Sequence, residues 1–266
     1  MTSPRDACRS SAISSLFNAA ADSDSVWEKF LPSDYQQIIS RSSASPPVGF
    51  STMSKKQLYF SLSDSPLLLD GGKLSFGLDR ESGKKCYTLP AQELAIAWKT
   101  DKRYWRWIRL PESRFSKVAK LKGVVWWLAI RGRINTAMLS TNTNYAAYLI
   151  FKIADRHFGL ESVLVKSSVE FVNKLEDGYQ HHLSSRIKKI KDLSSPVFLT
   201  LETSRPRVQN GRLPQMRRDG WMEVELGEFN NDQGDEGEVK MTLRQVEGGM
   251  GGLIVQGIEV RPKVAA

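Results

Sequence analysis

Cysteine and histidine are scarce in this chain. Two cysteines, Cys8 and Cys86, and three histidines occur among 266 residues. Two thiols far apart in sequence form no disulfide framework, and two thiols alone are no zinc site. A reducing compartment suits such a chain, so a cytoplasmic and nuclear location is expected. With two of the three histidines adjacent, at His181 and His182, a histidine-centred catalytic apparatus has little to build on. No apolar run approaches the roughly 20 residues that span a bilayer as a helix. The first residues, Met-Thr-Ser-Pro-Arg-Asp, carry no apolar signal core, so secretion is not expected and no membrane partner is implied. A nucleotide fold is also unsupported. Gly248-Gly249-Met250-Gly251-Gly252 leads into Leu253-Ile254-Val255, a strand, and lacks the Lys-Ser/Thr ending of a phosphate loop. It reads as a flexible hairpin. The carboxylates Glu228, Asp235, Glu236 and Glu238 can be paired as a glycosidase would need only on paper. No enzyme, cofactor or metal is expected.

What is present is an ordinary soluble composition, 41% hydrophobic and 25% charged, with an uneven distribution of charge. Residues 99–133 hold 11 of the 38 Lys and Arg but only two acids, Asp101 and Glu112, so this segment alone accounts for the formal +9. Residues 205–218 carry five arginines and no acid, and residues 219–239 carry eight acids and no base. Neighbouring segments that neutralise one another are the preferred reading, with a nucleic-acid groove as the alternative. No specific nucleic-acid partner is expected. The basic run Ser184 to Lys191 reads as a solvated loop, with a nuclear signal as the alternative.

The chain changes character along its length. Ser3-Pro4-Arg5-Asp6 is a helix start, with Ser at the N-cap, Pro at the first helical position and an acid in the first turn. Cys8, Ala12, Ile13, Leu16, Phe17 and Ala20 follow at helical spacing. Val26, Trp27 and Phe30, then Tyr35, Ile38 and Ile39, mark two more short helices, so residues 1–41 form a small helical unit. Residues 42–57, rich in Ser and Pro, read as a linker. From residue 58 the period becomes two, and 58–266 read as one β domain that includes N-terminal strands at 58–90. Eight strands are expected after residue 90: 93–98, 124–130, 145–153, 162–172, 197–202, 221–226, 238–246 and 253–260. The fold class is mainly β, an antiparallel sandwich or jelly roll preceded by a helical remnant.

Residues 93–107 carry the clearest binding signal. Trp98, Tyr104, Trp105 and Trp107 fall within ten residues, interleaved with Lys99, Lys102, Arg103 and Arg106. Flat aromatic faces suit the C–H face of a sugar, a nucleobase or a cation. Nearby carboxylates would accept hydrogen bonds from sugar hydroxyls. Trp126, Trp127 and Trp221 lie in expected strands, so at least two of them are assigned to the core.

Several stretches together resemble one plant lectin family. They are Glu-Leu-Ala-Ile-Ala-Trp (93–98), Tyr-Trp-Arg-Trp (104–107), Tyr-Ala-Ala-Tyr-Leu-Ile-Phe-Lys (145–152), Arg-Arg-Asp-Gly-Trp-Met-Glu-Val-Glu-Leu-Gly-Glu-Phe (217–229), Gly-Glu-Val-Lys-Met (237–241) and Gly-Ile-Glu-Val-Arg-Pro (257–262). Over residues 87–262 the chain is similar to the Nictaba, or phloem-protein-two, lectins. Its N-terminal part resembles the F-box that precedes this domain in one branch of that family. The resemblance implies binding of N-acetylglucosamine oligomers or N-glycan cores through Trp98, Trp105, Glu228 and Asp235. Asp235 stands where the family has Glu, with Glu236 as the alternative, and Trp107 is placed beneath the site. The resemblance also implies a Skp-type adaptor of a cullin ubiquitin ligase as partner. The first helix of such a box would precede Ser3, so a shortened box and a reduced adaptor surface are expected. The rival expectation is a protein-interaction substrate receptor whose sugar pocket is inactive.

Overall fold

Ser3 holds extended backbone while its hydroxyl accepts the Asp6 N–H at 3.1 Å, which starts the first helix where the sequence places it. In the computed structural model, residues 3–42, 52–161, 164–172, 194–200, 211–232 and 237–263 are described. The chain divides into two units, Met1–Thr88 with the last three residues and Leu89–Lys263.

The first unit contains α1 (Pro4–Ser10), α2 (Ser15–Asp22), α3 (Asp24–Trp27), α4 (Tyr35–Ser40) and α5 (Lys55–Asp64), then the meander β1 (Leu67–Leu69), β2 (Leu74–Leu78) and β3 (Lys85–Pro90). Two expectations are corrected here. The apolar stripe from Cys8 to Ala20 is not one helix. Ser14 accepts the Phe17 N–H and caps a second one, because a Ser-rich segment offers the backbone local partners that interrupt the ladder. Residues 58–62 are helix, not strand. Ser54 and Gln57 form a reciprocal capping box, and Leu58, Tyr59 and Leu62 at helical spacing are all buried. The hub is Trp27, fully buried, with Tyr59, Phe60 and Phe30 rings at 5.1, 5.2 and 5.6 Å. Residues 58–88 therefore pack with the helices, and the boundary expected at 57 falls after Thr88.

The second unit is an antiparallel β-sandwich. Its strands are β4 (Ala95–Ile96), β5 (Trp105–Ile108), β6 (Val118–Leu121), β7 (Ala129–Asn135), β8 (Thr143–Phe158), β9 (Leu164–Val172), β10 (Ser195–Val197), β11 (Gln215–Met216), β12 (Met222–Asn231), β13 (Glu238–Glu247) and β14 (Gly251–Pro262). One sheet runs β5–β6–β14–β8–β12–β11 and the other β10–β9–β13–β7–β4. Ile130, Gly132 and Ile134 of β7 point inward while Arg131 and Arg133 point out, as period-two alternation requires. Gly227 sits at a bulge in β12. A Cβ there would come within 2.9 Å of the Val169 side chain, so the close approach of the sheets needs glycine. The Gly248–Gly252 run, expected as a flexible hairpin, instead carries the chain from β13 in one sheet to β14 in the other. Met250 is buried and exchanges both backbone hydrogen bonds with Val125.

On the outer face of the first sheet, β12 and β14 flank β8 and are joined by charge. One Arg217 Nη donates to Glu223 at 2.5 Å and to Glu259 at 2.7 Å. Arg261 donates to Glu223 at 2.5 and 2.8 Å and to Glu259 at 2.7 Å, and its guanidinium stacks 3.8 Å over the Tyr148 ring. Both glutamates are buried. Arg212 pairs with Glu225 at 3.2 Å. The Arg-rich run thus meets the acid-rich run, as the neutralising reading of the sequence has it.

Burial by itself would raise the Glu259 carboxyl, but the charges of Arg217 and Arg261 outweigh it and hold the group below the usual carboxylate range. A depressed folded value stabilises the protein above the unfolded value and is lost as pH falls through the folded one. Glu259→Gln should therefore lower stability at neutral pH by about 3 kcal/mol, since it leaves buried cations underpaired. Its urea midpoint should also fall less steeply than the parent's below about pH 4.5. Parallel acid limbs in the two proteins would contradict the assignment.

Candidate functional site: an aromatic end of the sandwich

The loops that close one end of the sandwich are tied by backbone bonds. Ala97 N–H donates to the Ala129 carbonyl at 2.9 Å, which fixes the chain just before Trp98. Trp98 O accepts Asp101 N–H at 2.9 Å, and Tyr104 O accepts Lys122 N–H at 2.8 Å. Lys99 Nζ donates to the carbonyls of Leu94 and Gln92, so one cation of the basic segment closes a turn. With Val125 paired to Met250 and Leu128 buried, Val124, Trp126 and Trp127 are turned to solvent.

The tryptophans then separate by role. Trp98 is 54% exposed and Trp105 is 3% exposed. The Trp105 indole N–H donates to the Ala97 carbonyl at 2.9 Å, so this ring supports the residue before Trp98 and offers no face to a ligand. Trp98 adopts φ +61°, a left-handed conformation that costs a residue with a Cβ roughly 1–2 kcal/mol. Its ring lies 6.2 Å from Tyr104, tilted, and 6.4 Å from Trp127, edge-on. Trp107 is half-buried. Trp126 and Trp127 are 75% and 51% exposed, and only Trp221 of the three assigned to the core is buried. That expectation fails because residues 126–128 precede the strand, which begins at Ala129. Adjacent tryptophans also cannot both face inward where side chains alternate.

Glu228 does not join this group. Glu228 lies on the outer face of the other sheet. It accepts Asn144 Nδ2 at 3.1 Å and is paired with Lys263, which also reaches Glu225 at 3.0 Å. The bulge at Gly227 puts Glu225 and Glu228 on successive outward positions, which is how one lysine reaches both. The Lys263 hydrogen bond chiefly holds the Glu228 carboxyl below its ordinary range. Phe229 meets Phe171, and Phe171 is in register with Val239, so Glu228 is level with Lys240 of β13. Ala97 is level with Arg244, and Trp98 lies beyond it. The two sites are thus apart by roughly 13 Å along the strands, at about 3.3 Å per residue, and also by the ~10 Å between sheets. Asp235 and Glu236 lie outside the described residues, in the connection from β12 to β13. The Ser184–Lys191 run lies outside them as well.

A carboxylate that the sequence reading did not single out stands beside Trp98. Asp101 accepts Arg103 Nη2 at 2.7 Å and the Arg103 backbone N–H at 2.8 Å. Those bonds, the side-chain one first, keep it ionised below the usual range. The signal for Trp127 was the Trp-Trp pair itself, which breaks two-residue alternation.

A family model described as Phloem protein 2 matches residues 84–262. The chain belongs to the phloem protein 2 family. F-box protein PP2-B10 of Arabidopsis thaliana is 42% identical over 265 residues, covering 98% of this chain and 88% of the relative. F-box protein VBF of the same plant is 40% identical over 272 residues, covering 98% and 94%. Among solved structures, a family 35 carbohydrate binding module from Clostridium thermocellum is 12% identical with a TM-score of 0.33, covering 66% of this chain and 96% of that one.

The backbone at Trp98 makes a stability test direct. Trp98→Ala keeps a Cβ at φ +61°, whereas Trp98→Gly does not. The glycine variant should be the more stable by about 1 kcal/mol in urea unfolding. The opposite order would exclude the left-handed conformation.

Proposed function

We propose that the chain is a carbohydrate-binding, lectin-like protein for N-acetylglucosamine oligomers or N-glycan cores, with no catalytic activity of its own. The observation that carries the reading is Trp98, an exposed indole held in a left-handed conformation at the centre of the Trp98–Tyr104–Trp127 group. Backbone strain of this kind persists where the surroundings over-determine it, and it clusters at binding sites. A pyranose would lay its C–H face on the Trp98 ring, and its hydroxyls would donate to Asp101. Trp105 acts as the support that aims Trp98. Glu228 serves through Lys263 and Asn144 to fix the end of β12, from which the connection bearing Asp235 departs.

The second part of the proposal concerns the helical unit. Ile13, Leu16 and Phe17 are exposed on it. This apolar surface suits a Skp-type adaptor, through which the protein would present glycosylated clients to a cullin-type ubiquitin ligase. The relatives' printed name, F-box protein, supports this reading.

One observation favours a rival. Trp105 is buried and Glu228 is ion-paired away from Trp98, which suits a receptor that binds protein clients without sugar. Retention on immobilised chitin oligomers separates the two. The parent should bind, and Trp98→Ala should weaken binding at least about fivefold, since an aromatic platform contributes on the order of 1 kcal/mol or more. Glu228→Gln should bind as the parent does. No retention of the folded parent would favour the protein-client reading. For the helical unit, Leu16→Glu with Phe17→Glu should abolish capture by purified adaptor, and undiminished capture would refute that surface.

A further inference from the structure

Beside the Trp98 group, a second apolar surface projects from the same end of the sandwich. A Cβ placed on Gly249 would lie 3.1 Å from Val124, 3.4 Å from Trp126 and 3.5 Å from Phe158, so these three side chains converge over one glycine. All three are exposed, Trp126 by 75% and Phe158 by 56%. The residues that hold them are rigid: Val125 is paired to Met250, and Phe158 is in register with Gly251 at the end of β8. A contiguous patch of large apolar side chains on anchored loops marks an interaction surface.

Its surroundings are cationic. Lys102, Lys122 and Arg156 are exposed on the flanking segments, and none has an ion-pair partner among the described residues. Of the nearby acids, Asp101 is engaged by Arg103, and Glu161 by His157 at 2.9 Å. Of the others, Glu247 is engaged as well, and Asp155 is exposed beside Arg156. A sugar stacked on Trp98 gives no role to Val124 and Phe158, and a neutral apolar partner gives none to the cations. Tryptophan and phenylalanine at the tip of a surface, ringed by lysine and arginine, match the boundary between acyl chains and anionic headgroups.

We infer that the Val124–Trp126–Phe158 face, with its collar of Lys102, Lys122 and Arg156, docks peripherally on anionic phospholipid membranes. That no described helix is long and apolar enough to cross a membrane does not bear on this, because the rings enter only the interfacial layer. The inference uses side chains other than Trp98 and stands apart from the sugar reading.

Co-sedimentation of the full chain with vesicles tests it. The protein should associate with phosphatidylcholine vesicles containing phosphatidylserine, not with phosphatidylcholine alone, and rising salt should weaken the association. Trp126→Ser with Phe158→Ser should reduce partitioning on the order of tenfold or more. Lys102→Glu with Lys122→Glu, two exposed changes that leave the packing untouched, should reduce it on a similar scale. Trp98→Ala should leave it unchanged. Equal association with neutral and anionic vesicles, no association with either, or partitioning undiminished in both double variants would overturn the proposal. So would binding to soluble poly-glutamate that outcompetes the vesicles, since it would assign the face to an acidic protein.

Discussion

Two glutamates buried on the outer face of a sheet would be untenable alone, and the second unit is arranged so that they are not. Glu223 and Glu259 stand on strands either side of β8, and Arg217 and Arg261 bridge them with hydrogen bonds between 2.5 and 2.8 Å. Such a group tolerates no slip. Moving β12 or β14 by one residue would send its acids to the inner face, among apolar side chains. The tetrad therefore fixes the register of the three strands. Lys263, two residues beyond Arg261, continues the pattern to Glu225 and Glu228. Two of the stretches that carry the resemblance, 217–229 and 257–262, supply all of these charges except Lys263.

With the registers set, the proposed sugar-binding group lies at an end of the sandwich. The strands that lead into it are rigid, and the loops between them are bonded to each other through Ala97, Tyr104 and Val125. Aromatic side chains on such loops stay exposed because the backbone gives them no route inward. The left-handed Trp98 and the Val124–Trp126–Phe158 cluster share this origin. The two differ in what surrounds them: an ionised carboxylate and neighbouring rings for the first, exposed cations with no ion-pair partner among the described residues for the second.

Much of this was legible in the sequence. The Ser3 cap and the alternation through 145–153 and 238–246 fall where the residues place them, and the Arg-rich and acid-rich runs do neutralise each other. The misses have physical causes. Leu58 to Leu62 satisfies a strand pattern and a helix pattern over so short a run, and the capping box at Ser54 and Gln57 decides between them. Strands β5 and β6 are four residues each, too short for a period to be read. That Trp98 and Glu228 lie apart was hidden for another reason. Which sheet a strand joins, and at what level, follows from long-range register that no local spacing encodes. The buried role of Glu223 and Glu259 was hidden likewise, since their partners lie up to 42 residues away.

Under the proposed function, ligand binding belongs to the aromatic end, while the acids of segments 217–229 and 257–262 hold the sheet. Indole N–H resonances of the seven tryptophans report on both regions in one spectrum. On titration with chitin oligomers, the Trp98 and Trp127 signals should shift together and saturate at one affinity, while Trp221, packed in the sheet that carries Glu223, stays fixed. Saturable shifts at the Asn144 and Asn230 side-chain amides near Glu228, with Trp98 and Trp127 unmoved, would contradict the account.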